Sequence, residues 1–307
     1  MTRRPTMTSR LIARLAAALP LLLFASGCGG SPAADRAASP STGFDRALHD
    51  ALPADIRDGG VLRVATDASY APASSFAADG RTIVGFEPDL GAALGRVLGI
   101  DVRFGQAKFS ELLSDVVHDR TDVVMSAMTD TRARERKADF VNYFLAGTAI
   151  VVKRGNPTGI TDLGGLCEQT VAVETGTIQV DLLARSQMRC GKRPIVVKTY
   201  ETNADALVQL RTGRADAVLN DYPPAAHLAT DPKTRSRFQL ASTAQYEPGL
   251  YGIAVPKDRP ELRDALKAAL DEVMRSGEYA SILERWGVAD GAVADSAING
   301  GGVAQLG

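Results

Sequence analysis

Four polar segments stand directly after runs of the chain that are predicted to be β-strands. They are Asp67, Ser126, residues 175–177, and the pair Asn220 and Asp221. In open α/β sheets, small molecules bind outside the carboxyl ends of the strands. Side chains that follow four such strands can therefore meet in one place. The spacing predicts a single site for a small polar molecule, assembled from four separate segments.

The histidines and cysteines do not form a set typical of a metal centre or a catalytic triad. His49, His118 and His227 stand in no motif that combines them with both an acid and a nucleophile. Cys167 and Cys190 have no histidine or second cysteine at the spacing of a zinc site. We therefore expect neither a metal nor a cofactor.

The N-terminal segment, residues 1–27, is predicted to be an export signal. Four arginines precede an apolar run at 15–24, and a stretch of small residues ends at Cys28. This end resembles a bacterial lipobox, which implies that Cys28 receives a diacylglyceryl group and becomes the mature N-terminus. Ala25 departs from the usual leucine, and an ordinary cleaved signal with a chance cysteine is the alternative. Residues 28–43, rich in Gly, Ser, Pro and Ala, are expected to form a flexible tether.

The two remaining cysteines are expected to be bonded to each other. Once Cys28 is assigned to the lipid, Cys167 and Cys190 remain, in an oxidising compartment. The chain-entropy estimate for such a bond is roughly 3–3.5 kcal/mol of stabilisation. Two free buried thiols are the alternative.

The composition excludes several kinds of partner. The chain has 307 residues, with 35 Lys and Arg against 36 Asp and Glu, and a formal net charge of −1. Without a basic excess, nucleic acid is not expected as a partner. After the signal, no stretch approaches the about 18 uninterrupted apolar residues of a membrane span. A chain of this length is expected to form two domains.

Strands and helices alternate along the chain and must position the polar segments. Strand-like runs cover residues 61–66, 101–104, 122–126, 149–152, 170–174, 194–199, 215–219 and 250–255. Helical stripes cover residues 89–98, 110–118, 178–185, 261–274 and 279–286. Another helix is predicted between a cap at Asn203 and Gly213. Valine-rich strands separated by helices favour parallel sheets in an α/β fold, and two successive units predict two lobes.

Seven motifs, in order, resemble the family 3 extracellular solute-binding proteins, which are the polar amino-acid receptors of bacterial ABC importers. The motifs are TDASYAP (66–72), GFEPDL (85–90), SAMTDTRAR (126–134), VAVETGT (171–177), ADAVLND (215–221), YGIAVPK (251–257) and GEY (277–279). The similarity runs from about residue 59 to residue 286. Pro88 and Ala127 depart from the family pattern, where an aliphatic residue and a serine or glycine are usual.

The resemblance implies an α/β fold with the two-lobed, type II architecture of periplasmic binding proteins. Each lobe is expected to be a mostly parallel sheet flanked by helices, and two chain segments near residues 146–151 and 248–252 form the hinge. The implied segments are lobe 1 (57–147 and 251–286), lobe 2 (148–250) and a loosely packed C-terminal tail (287–307).

The resemblance also assigns contacts to the head of a ligand. Arg134 matches the arginine that binds an α-carboxylate through its guanidinium fork. Asp221 matches the acid that takes the α-ammonium, and Tyr70 matches the aromatic residue that covers the ligand. The loop that supplies backbone and hydroxyl contacts corresponds to Ser126, Ala127 and Thr129.

The rest of the implied pocket decides which side chain fits. Thr177 follows Gly176 at a helix start, where free N–H groups favour a carboxylate. Asp67 matches an acid at the side-chain end, which could attract a Lys or Arg side chain or accept from a Gln or Asn amide. Gln179 lies near the same rim, whereas Glu174 is expected to be a surface charge of its lobe. One cation, one anion and an aromatic cover suit a zwitterion.

The implied function is that of a monomeric, lipid-anchored receptor outside the cytoplasmic membrane. It would bind a polar or basic amino acid between its lobes and deliver it to the permease subunits of an ABC importer. The alternatives are an enzyme on the same fold, such as a cyclohexadienyl-dehydratase-like lyase or a lytic transglycosylase, and a sensory binding protein. Fold alone does not decide between these, and no glutamate is singled out as a catalytic acid. We therefore expect no enzymatic activity.

Overall fold

The part of the chain that the structure describes, residues 42–301 of a computed structural model, alternates strands and helices. The strands are β1 (Val61–Thr66), β2 (Ser69–Tyr70), β3 (Ser74–Phe76), β4 (Ile83–Val84), β5 (Asp101–Gln106), β6 (Val123–Val124), β7 (Ala138–Lys153), β8 (Thr170–Glu174), β9 (Val196–Tyr200), β10 (Ala217–Asp221), β11 (Phe238–Leu240) and β12 (Tyr246–Pro256). The helices are α1 (Arg46–Asp50), α2 (Ala54–Gly59), α3 (Phe86–Leu98), α4 (Phe109–Val117), α5 (Arg132–Glu135), α6 (Ile178–Gln187), α7 (Asn203–Thr212), α8 (Tyr222–Thr230), α9 (Pro260–Arg275) and α10 (Glu278–Arg285).

One sheet runs through both lobes in the strand order β5-β1-β6-β12-β7-β10-β8-β9. In lobe 1, β1 is parallel to both β5 and β6, and in lobe 2, β8 is parallel to both β10 and β9. The long strands β7 and β12 lie antiparallel to each other between these two sets. The predicted two-lobed α/β fold with mostly parallel sheets is confirmed.

Four hydrophobic cores, two in each lobe, hold helices against both faces of this sheet. In lobe 1, α3, α9 and α10 pack on one face and α4 packs on the other. In lobe 2, α6 packs on one face, and α7 and α8 pack on the other. Along β7, Ala146 belongs to a core of lobe 1, whereas Ala149 and Ile150 belong to the cores of lobe 2. Along β7, the side chains therefore change from one set of cores to the other between Ala146 and Ala149.

Six of the helices that flank the sheet, α3, α4, α6, α7, α9 and α10, form where the sequence pattern predicts them. On α9, Leu262, Leu266 and Leu270 repeat every four residues and are fully buried. Each such side chain contributes about 1.5–3 kcal/mol on burial. The predicted cap of α7 is off by one residue, because the Thr202 hydroxyl accepts from the Asp205 N–H at 3.1 Å.

The sequence patterns missed the first half of β7 and the whole of α8. Residues 138–148 are buried on nearly every side chain, so they lack the alternation that marks a half-buried strand. At the start of α8, Pro223 and Pro224 resemble a turn, yet proline is tolerated in the first turn of a helix because those N–H groups need no partner.

The predicted disulfide between Cys167 and Cys190 is confirmed, with Cα atoms 5.4 Å apart. The bond joins the segment before β8 to the chain just after α6, and both cysteines contact the same core of lobe 2. It therefore ties together two segments that flank one face of that lobe.

The expectation of a loosely packed tail is wrong for residues 287–301. The Asn142 N–H donates to the Ala297 carbonyl at 2.8 Å, and the Asn299 N–H donates to the Phe140 carbonyl at 2.9 Å. The Gly301 N–H donates to Asp130 Oδ2 at 2.9 Å. This part of the chain runs along β7 and satisfies backbone groups there, which its Gly-rich and Ala-rich composition did not indicate.

The predicted signal and the lipid-bearing Cys28 lie outside the described residues. Between residues 42 and 301, no helix is long and apolar enough to cross a bilayer.

Candidate ligand-binding site

A cavity between the lobes lies where β1, β8 and β10 end. The residues that line it are Asp67, Tyr70, Phe109, Ser126, Ala127, Thr129, Arg134, Glu174, Thr177, Ile178, Gln179 and Asp221. All nine residues that the sequence assigned to a ligand are among them. Phe109, Glu174 and Ile178 are the additions that the structure makes.

The two lobes are closed onto each other around this cavity. The Asp221 N–H of lobe 2 donates to the Tyr70 hydroxyl of lobe 1 at 2.8 Å. From lobe 1, Arg134 Nη2 donates to the Gly176 carbonyl of lobe 2 at 3.0 Å. The free volume is about 20 Å³, close to what one water molecule needs. An amino acid could enter only after the lobes separate.

Hydrogen bonds to polar groups of neighbouring segments hold the loop at Ser126 and Ala127 in place. Ser126 Oγ accepts from the Asp67 N–H at 2.9 Å, so the two segments are linked directly. The Ala127 N–H donates to Glu87 Oε1 at 2.5 Å. This amide is therefore used within the protein, and Ala127 faces the cavity with its other atoms.

Glu87 is a supporting residue to which the sequence assigned no role, although it lies in the GFEPDL motif. It is fully buried, accepts from Ser74 Oγ at 2.7 Å and contacts the Tyr143 hydroxyl. Burial raises the pKa of its carboxyl. Gly85 directly precedes its helix α3 and has φ of 153°, and a Cβ at Gly85 would lie 1.8 Å from the Ala73 carbonyl oxygen. Only glycine allows this close approach.

Arg134 supplies the positive charge of the cavity. It lies on α5, which Thr131 caps by accepting from the Arg134 N–H at 3.3 Å. Its Nη1 donates to the Thr129 carbonyl at 2.7 Å, and its guanidinium carbon lies 5.5 Å from the centre of the Phe109 ring. Burial lowers the pKa of Arg134 to about 10, so the guanidinium stays charged at neutral pH.

Asp221 supplies a negative charge at the end of β10. Gln179 Nε2 donates to Asp221 Oδ1 at 2.7 Å and lies 3.2 Å from Thr148 Oγ1, so Gln179 orients the carboxylate. Burial raises the pKa of Asp221 to about 6, against the opposing effects of Tyr251, Tyr70 and the Gln179 amide. The carboxylate is therefore ionised at neutral pH and gains a proton below about pH 6.

Thr177 begins α6 at the edge of the cavity. Its hydroxyl donates to the Glu174 carbonyl at 2.8 Å, so this group serves the turn. The preceding Gly176 has φ of 83°, and a Cβ there would lie 3.1 Å from the Ser110 Cα of lobe 1. Glycine thus lets the start of α6 approach the opposite lobe closely.

Glu174 is not the surface charge that the sequence led us to expect. Glu174 is the last residue of β8, its side chain lines the cavity, and the residue is 6% exposed. Burial, followed by the charge of Asp67, raises the pKa of Glu174 to about 9. The sequence could have indicated this role, because Glu174 follows the apolar residues 171–173 at the carboxyl end of a predicted strand, and such strand ends face the site.

Between residues 42 and 301, no three His, Cys, Asp or Glu side chains are grouped so that they could hold a metal ion.

Comparison with known proteins identifies a family. The profile of the bacterial extracellular solute-binding proteins, family 3, matches residues 62–289. The arginine-binding protein ArgT of Corynebacterium glutamicum is 29% identical over 252 residues, which cover 81% of each chain. The predicted resemblance is therefore confirmed at the level of the family.

Solved structures give the same picture. An ancestral arginine-binding protein bound to arginine is 32% identical, with a TM-score of 0.68, and the match covers 74% of this chain and 98% of that one. The ancestral amino acid-binding protein AncCDT-1, a precursor of cyclohexadienyl dehydratase, is 29% identical, with a TM-score of 0.66. That match covers 76% of this chain and 97% of the other.

Proposed function

The chain belongs to the bacterial extracellular solute-binding proteins of family 3, and from that premise we propose that it is a receptor for a free amino acid. The receptor closes its two lobes on the ligand and delivers it to an ABC importer. One observation carries this proposal: Arg134 of lobe 1 and Asp221 of lobe 2 place opposite charges in the same cavity. A zwitterion has the matching pair of charges.

The α-carboxylate would bind to Arg134. A guanidinium and a carboxylate form two parallel charge-assisted hydrogen bonds, which are short and strong. In the closed structure, Arg134 instead donates to the carbonyls of Thr129 and Gly176. A ligand carboxylate would replace the bond across the lobes with a stronger one.

The α-ammonium would bind to Asp221. Gln179 occupies Oδ1 of this carboxylate, and the nearby hydroxyls of Tyr70 and Tyr251 favour its ionised form. An ammonium ion would offset the cost of burying the charge. Tyr70 lies beside this contact and would cover the ligand.

Closure would take place about the two long strands β7 and β12. We place lobe 1 at residues 57–147 and 251–286 and lobe 2 at 148–250, because the hydrophobic cores change between Ala146 and Ala149. A ligand that contacts both lobes stabilises the closed state through its higher affinity for that state.

A thermal-shift panel of the twenty amino acids tests the proposal. At least one L-amino acid should raise the melting temperature, since a ligand that binds only the folded state stabilises it. Calorimetry should then give a single site on a monomeric protein. If none of the twenty binds, the proposed function is wrong.

We propose further that lipid on Cys28 anchors the mature protein, with residues 28–43 as the tether, on the basis of the sequence at that end. Cys28→Ser should release the protein from the membrane fraction or leave the signal uncleaved. A fatty-acid analogue fed to cells should label the wild type only. Equal labelling of both proteins would contradict the anchor.

A lyase is the second candidate, because the raised pKa of the buried Glu174 suits a proton donor. AncCDT-1, to which the chain is similar, is described as a precursor of such an enzyme. A 4-hydroxycyclohexadienyl acid would lose carbon dioxide from its carboxylate and lose its hydroxyl as water with the proton of Glu174, and the ring would become aromatic, which ultraviolet absorbance detects. Turnover that Glu174→Gln abolishes would favour this candidate over the receptor.

A further inference from the structure

Asp67 and Glu174 face each other across the cleft, one from each lobe. Asp67 follows β1, Glu174 ends β8, and the two residues are 2% and 6% exposed. Both residues line the same cavity of about 20 Å³, and the charge of Asp67 contributes to the raised pKa of Glu174. Neither carboxylate can donate a hydrogen bond unless it carries a proton. The hydrogen bonding of the pair is therefore satisfied only if one carboxyl carries a proton or if another group supplies a donor.

Each of these carboxyls has an oxygen without a partner. Asp67 Oδ1 accepts from the Ser69 N–H at 2.8 Å, and the backbone N–H of Asn203 acts to lower the pKa of Glu174. Within residues 42–301, neither Asp67 Oδ2 nor Glu174 Oε1 has a hydrogen-bond partner. A buried carboxylate oxygen without a donor is costly, and these two line the same cavity.

The groups around Glu174 are acids. Asp67 faces it from lobe 1, Asp221 from the end of β10 and Tyr70 from β2. The charge of Asp67 acts against ionisation of Glu174. With its raised pKa, the Glu174 carboxyl holds a proton at neutral pH.

The charges of the cavity also have to balance when a ligand is bound. In the proposed function, Arg134 neutralises the α-carboxylate and Asp221 neutralises the α-ammonium. Asp67 and Glu174 remain, with two free acceptor oxygens and no cation assigned to them. A guanidinium group carries five N–H donors in one plane and could bind both oxygens, and an ammonium group carries three donors.

We propose that Asp67 and Glu174 form the side-chain subsite of this receptor, that it selects an amino acid with a cationic side chain, and that binding drives one proton off the pair. The inference rests on the proposed function and adds the ligand class and a proton step to it. The proton leaves Glu174 for solvent, and the side-chain cation takes its place between the two carboxylates.

Calorimetry with matched ligands tests this subsite. L-arginine and L-citrulline have nearly the same shape, but citrulline carries a neutral urea group. Titrations at pH 7 in buffers of different ionisation enthalpy count the protons released. We expect arginine or lysine to bind at least tenfold more tightly than citrulline and to release about one proton. Between pH 6.5 and 8, affinity for the cation should rise by up to tenfold per pH unit.

Glu174→Gln is the informative variant, because it keeps the shape and removes the titrating group. It should release almost no proton and lose most of the preference for arginine over citrulline. Glu261→Gln is the matched control, since Glu261 is an exposed residue on the first turn of α9. It should behave like the wild type in both measurements. The count of protons on the wild type remains decisive if the Glu174 variant does not fold.

The outcomes separate this inference from the proposed function. If citrulline or glutamine binds as tightly as arginine and lysine, without proton release, the subsite inference is overturned and the receptor stands. If no amino acid binds, the receptor and the subsite both fail. Unchanged proton release in Glu174→Gln would exclude Glu174 as the source of the proton.

Discussion

The two ends of the cavity differ in how their charges are paired. At the head end, defined by Arg134 and Asp221, the charges are opposite and both groups already have hydrogen-bond partners from the protein. At the side-chain end, defined by Asp67 and Glu174, the groups are alike and each has an oxygen without a partner among the described residues. At the head end, the charged groups are therefore held in place before a ligand binds. At the side-chain end, the free acceptor oxygens gain hydrogen-bond partners only from the ligand.

This difference separates what all amino acids share from what distinguishes them. Every amino acid presents a carboxylate and an ammonium, so a preformed pair of opposite charges serves any of them. The side chain varies, and two unpaired acceptor oxygens favour binding only of a side chain that carries hydrogen-bond donors. Changes at the head end should therefore affect every ligand, and changes at the side-chain end should affect the choice among ligands.

The largest effect is expected from Arg134→Ala. Removing one partner of a buried charged pair costs about 3–5 kcal/mol, which is a loss of at least about a hundredfold in affinity. The loss should be similar for every amino acid that the wild type binds. Arg136→Ala, two residues along and exposed, is the control and should bind normally. Calorimetry measures the affinity of both variants. Affinity near the wild-type value in Arg134→Ala would mean that Arg134 does not bind the ligand, and the head end as defined above would be wrong.

Asp221→Asn should have the next largest effect. Hydrogen bonds to charged groups contribute about 1.5–3 kcal/mol, so we expect a loss of about ten- to a hundredfold. The pKa of Asp221 is raised to about 6 by burial, and the ammonium binds its ionised form. Wild-type affinity should therefore fall more steeply than that of the variant as the pH drops below 6, because the proton on Glu174 affects both proteins alike. Calorimetry at pH 5 and 7 checks this, and parallel pH profiles would contradict it.

The smallest effect is expected on the stability of the unliganded protein with Glu174→Gln. The pKa of Glu174 is raised from 4.5 to about 9, so the folded state holds a proton that the unfolded state loses. This contribution is fully present below about pH 4.5 and is lost as the pH rises toward 9. The wild type should lose at least a few °C more in melting temperature than the variant between pH 6.5 and 8.5, since about 1 kcal/mol shifts it by roughly 2–4 °C.

Differential scanning fluorimetry at several pH values makes this measurement. Asp221 titrates mainly below this window, so it does not obscure the result. Melting temperatures that fall equally in both proteins would mean that Glu174 is ionised in the folded state. The two ends of the cavity would then differ less than the structure indicates.

The sequence predicted the head end better than the side-chain end. Arg134 and Asp221 stand in motifs that resemble those of the family, and this resemblance assigned their roles. Glu174 also stands in a motif, but an acidic residue at the end of a strand is ordinarily solvated, and only the packing of lobe 1 against it makes it buried. Glu87 went unassigned for the same reason, because its partners Ser74 and Tyr143 come from other segments.

By itself, the sequence determined most of the strands and helices that flank the site, the set of residues at the strand ends and the cysteine pair. These follow from periodicity, caps and motifs, which are relations between residues near each other in the chain. Only the tertiary structure decided that Glu174 faces Asp67, that the chain at Asn299 runs along β7 and that both lobes close on one cavity. Burial and the pairing of charges depend on segments far apart in the chain, and no local pattern records which of them meet.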